Sequence, residues 1–180
     1  MRFLPTTIAV MLLGGAPAQA EMKLASKDLT PGQPMAEAQL FNRFGCAGAN
    51  ASPELVWSGA PPATKSYAIL AFDPDAPTGS GWWHWVVFNI PAQTSRVATG
   101  APPNGAVEGR NDFGFFGYGG ACPPVGGGLH RYQFTVYALS VADLTKGDFP
   151  ISADAPAAMT SFAIHAAALD HATIEVVYQR

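Results

Sequence analysis

Asp73-Pro74-Asp75-Ala76-Pro77 sets two carboxylates one residue apart in a segment stiffened by two prolines, and Trp82-Trp83-His84-Trp85 follows shortly after. A second polar cluster lies downstream: Tyr118-Gly119-Gly120-Ala121-Cys122-Pro123-Pro124, then His130-Arg131-Tyr132. Asp and His set among tryptophans need hydrogen-bond partners or a polar cavity. Imidazoles, a phenol, backbone N–H groups and proline rings together suit a phosphate or a carboxylate. Asp73 and Asp75 can accept from an ammonium, or orient His84 and His130 and fix their tautomers. Gly119-Gly120 permits close backbone approach, and Pro123-Pro124 fixes the loop that follows. The alternative is that each residue is a local device. The aspartates would then be turn residues bonding nearby amides, and the histidines core groups bonded to carbonyls. Residue type alone leaves both readings open.

The elements that must position these residues are short strands. Gly and Pro punctuate the chain often, and strands are expected near 22–26, 37–42, 54–58, 66–72, 83–90, 106–111, 130–139 and 172–178. Period-two alternation puts His130, Tyr132, Phe134, Val136 and Ala138 on one face. Arg131 falls on the other face and reads as an ion-pair or surface residue. Likewise Trp82, His84, Val86 and Phe88 are expected on one face, with Trp83, Trp85 and Val87 opposite. Both faces of that strand are apolar, which predicts a strand covered on both sides. One helix is expected at about 155–169, capped by Asp154, with Met159, Phe162, Ala163, Ala166 and Leu169 as its apolar stripe. His165 on that helix and His171 after it read as solvated or locally satisfied. The fold class is mostly β.

Composition narrows the function. Of 180 residues, 48% are hydrophobic and only 13% charged, which favours a packed body over disorder. A formal net charge of -3 with no Lys/Arg block argues against nucleic acid as a partner. Residues 1–20 read as a secretory signal peptide: Met1-Arg2, an apolar stretch, then Ala18-Gln19-Ala20, with cleavage before Glu21. The rest, 21–180, is expected to be a single domain without a transmembrane segment, periplasmic or secreted. Cys46 and Cys122 are its two cysteines, and an oxidising compartment favours a disulfide between them. No C-x-x-C spacing suggests a metal site. The Gly-rich 117–128 stretch lacks the Lys-Ser/Thr ending of a phosphate-binding loop, and no G-x-S-x-G elbow is present.

Four stretches together carry a family resemblance: Asn50-Ala51-Ser52-Pro53 to Trp57, DPDAPTGSGWWHW at 73–85, Gly109-Arg110-Asn111-Asp112-Phe113-Gly114, and HRYQFTVYAL at 130–139. They resemble the signature regions of the phosphatidylethanolamine-binding proteins, also called Raf-kinase-inhibitor-like proteins, in their bacterial branch. The resemblance implies a large antiparallel Greek-key sheet packed on a second sheet, with peripheral helices. It also implies a small anion pocket made here by Asp73, Asp75, His84, Gly120, Pro124, His130 and Tyr132. Where many eukaryotic members have Gly before the paired prolines, this chain has Cys122. A bridge to Cys46 would tie the pocket rim to another loop. The Asp-Pro-Asp-Ala-Pro run must turn sharply beside the pocket, and family members suggest a cis Ala76–Pro77 bond there.

The expected function is an exported binding protein for phosphate or a phospho-headgroup, with no cofactor and no catalytic residue. Modulation or inhibition of a protein partner, such as a protease, and homodimerisation are compatible with it. Two alternatives stay open. Asp and His residues can serve a metal- or His/Asp-dependent hydrolase. The pocket can also be vestigial in a secreted interaction protein whose contact surface lies elsewhere.

Overall fold

The computed structural model describes residues 21–180, so the expected leader at 1–20 lies outside the described residues. Eight strands and one α-helix follow in order: β1 (Lys23–Ala25), β2 (Leu55–Ser58), β3 (Ser66–Asp73), β4 (Trp82–Pro91), β5 (Arg96–Val97), β6 (Val107–Glu108), β7 (His130–Leu139), α1 (Ala157–Ala167) and β8 (Ala168–Tyr178). They form two antiparallel sheets, one ordered β1-β2-β5 and the other β6-β4-β3-β7-β8. Within the larger sheet β3, β4 and β6 are successive neighbours, and β7 returns to lie beside β3. That is the Greek-key order.

Alternation along the long strands divides the apolar residues between two cores. Ile69, Trp85, Val87, Tyr132, Phe134 and Val136 meet Leu55 and Trp57 of the smaller sheet. Ala68, Leu70, Val86, Phe88 and Leu139 meet Ala157, Ala163 and Ile164 of α1. β4 is thus covered on both faces, as its sequence predicts. Burial of each large aliphatic or aromatic side chain here contributes roughly 1.5–3 kcal/mol.

Several expected elements differ. The segment expected as a strand at 37–42 begins as a 3-10 turn, Glu37–Gln39, in which Gln39 and Leu40 N–H groups bond the carbonyls of Ala36 and Glu37. Only Leu40 then bridges to Ala121. The helix is shorter than 155–169, and Asp154 does not cap it; Pro156 holds that position and Asp154 pairs with Arg110. Residues 168–171 belong to β8. The expected stripe is also rotated: Met159, Phe162 and Leu169 are exposed, Phe162 by 65%, while Thr160, Ser161, Ala163 and Ile164 face inward. The helix lies close on the sheet through small residues, and its apolar composition all round hides the true face.

Candidate functional site

β3 and β7 are neighbours, and their adjoining ends bring Asp73 and His130 together. His130 Nδ1–H donates to Asp73 Oδ2 at 2.7 Å, and both side chains are buried. A carboxylate only accepts, so this bond fixes the proton on Nδ1 and leaves Nε2 for other partners. The second Asp73 oxygen accepts the Asp75 backbone N–H at 2.9 Å.

His84 enters from β4 through a bulge. The register runs from Ala71 opposite Trp85 to Phe72 opposite Trp83, so His84 has no partner across the ladder. This extra residue resets the alternation. His84 and Trp85 turn toward the same side of the sheet, while Val86 and Phe88 face α1. The expected grouping of His84 with Val86 and Phe88 is therefore corrected, because simple period-two reading cannot see a bulge. His84 Nδ1–H donates to the Gly119 carbonyl at 2.7 Å. Burial is the main cause that pushes its pKa down from 6.5 to about 4; the Gly119 bond and the Asp73 charge oppose that push. His84 is neutral at pH 7, with the Nε2 lone pair free.

A cavity of about 230 Å³ lies among these groups. Asp73, His84, Pro124, His130 and Tyr132 line it together. The Tyr132 ring stands edge-on to His84 (5.2 Å between centroids) and nearly parallel to His130 (6.5 Å). Its hydroxyl is buried without a hydrogen-bond partner, as is Trp82 Nε1. Burial and the Asp73 charge push the Tyr132 phenol well above its ordinary range, so it stays protonated. Among the described residues no Lys or Arg lines the cavity.

Two of the expected pocket residues lie outside this lining. Asp75 turns to Arg131, which holds it with Nε and Nη2 at 2.8 Å each and with its backbone N–H at 2.9 Å. The Arg131 side-chain bonds lower the Asp75 pKa to about 2. Arg131 is thus the ion-pair residue that its strand face predicts, and its bidentate grip takes Asp75 out of the cavity. Gly120 supports the site from behind. Its N–H donates to Asn50 Oδ1 at 2.7 Å, and an added Cβ would stand 2.4 Å from the backbone of Gln39 and Leu40. Asn50 also donates to the Tyr118 carbonyl at 3.1 Å, so it holds both flanks of the Gly119 acceptor.

Sequence reasoning assigned no role to Phe44, Trp82 or Phe113 at the cavity, though all three line it. Phe113 stands edge-on to His84 and to Trp82, 5.3 Å from each, and stacks on Phe41 at 4.4 Å. Its place in the Asn111-Asp112-Phe113-Gly114 run was the available signal. Phe44 had none beyond its nearness to Cys46. Ala76, Pro77 and Thr78 complete one side. The Ala76–Pro77 bond is trans, against expectation, since no cis peptide occurs among the described residues. The chain reverses instead through Gly79 and Gly81, both at positive φ, with Thr78 N–H bonded to the Ala76 carbonyl.

Cys46 and Cys122 form a disulfide with Cα atoms 6.0 Å apart, and Cys122 itself lines the cavity. His165 bonds Ser161 and Tyr137, and His171 is exposed and stacks on Tyr137; both lie away from the cavity. Among the described residues no group of three or more His, Cys, Asp or Glu is arranged to hold a metal ion, and no helix is long and apolar enough to cross a membrane.

Two antiparallel sheets with a His/Asp cavity at the ends of the central strands of the larger one set the class of protein. The family model described as phosphatidylethanolamine-binding protein matches residues 25–179, and the chain belongs to that family. It is 42% identical over 167 residues to the UPF0098 protein YbcL of Escherichia coli strain K12, a match covering 89% of this chain and 88% of YbcL. It is 44% identical over 165 residues to the UPF0098 protein YbhB of the same organism, covering 87% of this chain and 99% of YbhB. The crystal structure of E. coli YbcL aligns with a TM-score of 0.84 at 43% identity, over 89% of this chain and 99% of that one.

Proposed function

We propose that this protein is an exported ligand-binding protein whose cavity takes the phosphate of a small monoester or of inorganic phosphate. The single observation that carries this reading is the convergence of His84, His130 and Tyr132, with Asp73 behind His130, on one cavity of about 230 Å³. The polar groups are complementary to a phosphate that still holds one proton. The neutral His84 presents an acceptor at Nε2, suited to a P–O–H. The Tyr132 hydroxyl is a donor for a charged oxygen. The His130 Nε2 can accept from the ligand, or donate to it once the ring takes a second proton from solvent, with Asp73 as counter-charge.

Burial keeps His84 neutral, so it acts as an acceptor rather than as an imidazolium donor. Among the described residues the lining holds no Lys or Arg, so affinity is weak and the aromatic wall favours an ester over free phosphate. Binding should strengthen as pH falls through about 6, where phosphomonoesters take up a proton. The leader-like residues 1–20 and the disulfide support the export part of this reading.

Calorimetry on the chain from Glu21, with inorganic phosphate and O-phosphoethanolamine at millimolar concentrations, tests the reading. Saturable heat that weakens in His130→Ala and persists in His165→Ala supports it. No heat and no thermal stabilisation would remove the ligand-binding function and leave the fold assignment standing.

A further inference from the structure

We propose that Phe44 is a size-selecting wall of the pocket and that the Cys46–Cys122 disulfide, by holding Phe44 in place, sets which ligands enter. The inference rests on the cavity being a ligand site. Phe44 and Cys122 are both part of its lining, and they belong to loops 76 residues apart at the bridge.

The base of the Phe44 loop is fixed by backbone bonds: Phe41 N–H to the Ala121 carbonyl, and Gly48 N–H to the Phe41 carbonyl. Its tip is not. Residues 42–45 are exposed, Phe44 by 70%. Beyond the local Cys46–Arg43 turn bond and the Arg43 guanidinium over the Phe115 ring (6.0 Å), three features hold this tip. One is the disulfide. Another is Arg180, whose Nη1 reaches the Phe44 carbonyl at 3.2 Å. The third is aromatic contact of the Phe44 ring with Phe41 (5.5 Å) and Phe113 (6.0 Å). Against them works the backbone: Phe44 has a φ of 55°, a left-handed conformation that bulky residues avoid. A residue placed there needs surrounding structure to keep it there. With the covalent tie cut, the tip is free to return Phe44 to ordinary φ and carry the ring off the cavity.

A dithiol reductant performs that cut. One of its thiolates attacks a bridge sulfur to give a mixed disulfide, and its second thiol closes a ring. Two electrons and two protons pass to Cys46 and Cys122, and the reductant leaves as a cyclic disulfide. Cys122 is only partly buried, so its sulfur is within reach of such a reagent. The oxidised pocket then suits phosphate and phosphoethanolamine, and the opened one also admits bulkier phosphomonoesters.

Two readouts test this on the chain from Glu21, comparing oxidised protein, dithiothreitol-reduced protein and oxidised Phe44→Ala. The first is the rate of carbethoxylation of each histidine by diethyl pyrocarbonate, followed by peptide mass. His84 and His130 should react faster in reduced and Phe44→Ala protein, with His171 unchanged as the internal reference. The second is the affinity for phenyl phosphate relative to inorganic phosphate, which should rise about tenfold when Phe44 is removed or freed, the scale on which apolar pockets discriminate by size. Phe44→Ala keeps the disulfide and carries the test where reduction unfolds the chain. Unchanged His84 and His130 rates in Phe44→Ala overturn the proposal, as does an unchanged affinity ratio where phosphate binds. Faster carbethoxylation without any phosphate binding upholds Phe44 as the wall and defeats the ligand reading instead.

Discussion

Acidification from pH 7 to pH 4 should expose the cost of burying His84. Its imidazole is 4% exposed, donates Nδ1–H to the Gly119 carbonyl, and has a pKa pushed down from 6.5 to about 4, mainly by loss of solvent. In the unfolded chain the same ring protonates near 6.5. Between these two values the unfolded state binds more protons than the folded state, so stability falls as pH falls. The His84 contribution is fully present above about 6.5 and is lost as pH drops through about 4. The distance between the two pKa values corresponds to about 3 kcal/mol, a large share of a typical domain's stability. Urea unfolding at a series of pH values measures it, with His84→Asn as the comparison. Asn offers a donor near the position of Nδ1 but does not titrate. Wild type should lose about 3 kcal/mol more than His84→Asn between pH 7 and pH 4. The Asp75 carboxylate, held to about 2 by Arg131, acts in a lower window, from its ordinary value near 3.8 downward, and leaves the comparison above pH 4 nearly clean. Parallel pH profiles for the two proteins would refute the reasoning and show that His84 is solvated or paired in solution.

Cys46→Ser with Cys122→Ser should lower stability by up to about 4.5 kcal/mol in the chain-entropy limit, read as a lower urea midpoint with a steeper slope, because the uncrosslinked denatured chain exposes more surface. Gly120→Ala should cost about 2 kcal/mol or more, because the new methyl meets the backbone of Gln39 and Leu40 rather than a movable side chain; thermal unfolding checks it. Asp73→Ala should cost about 1–3 kcal/mol, since it leaves the buried His130 Nδ1–H without its acceptor, and denaturant unfolding at pH 7 reads the loss.

The long strand β7 was legible because its period-two alternation matches the two cores it separates. The same rule failed locally on β4. One extra residue between Trp83 and Trp85 turns His84 toward the cavity, and a bulge leaves no mark in the apolar pattern. Asp73, His84, His130 and Tyr132 stand out as candidates because costly residue types cluster in two short runs, but the family resemblance is what favours one shared pocket over separate local roles. Asp75 belonged to the same run, yet its partner is set by how the end of β3 meets the start of β7. That juxtaposition is tertiary, and it gives the carboxylate to Arg131. The α1 face was misread because Ala and Ser pack it as closely as larger residues would, leaving Met159 and Phe162 outside. Phe44 was invisible for another reason. Its role depends on a disulfide and an Arg180 contact that connect segments far apart in the chain.

The central claim is that one small phosphate group sits between His84, His130 and Tyr132. Imidazole ¹⁵N and ¹H chemical shifts of the four histidines, followed during titration with O-phosphoethanolamine at pH 6, test it most directly. Saturable shifts are expected at His84 Nε2 and His130 Nε2 with a common midpoint, while His165 and His171 stay fixed. Shifts at His165 or His171 alone, or none at any histidine at millimolar ligand, would contradict it.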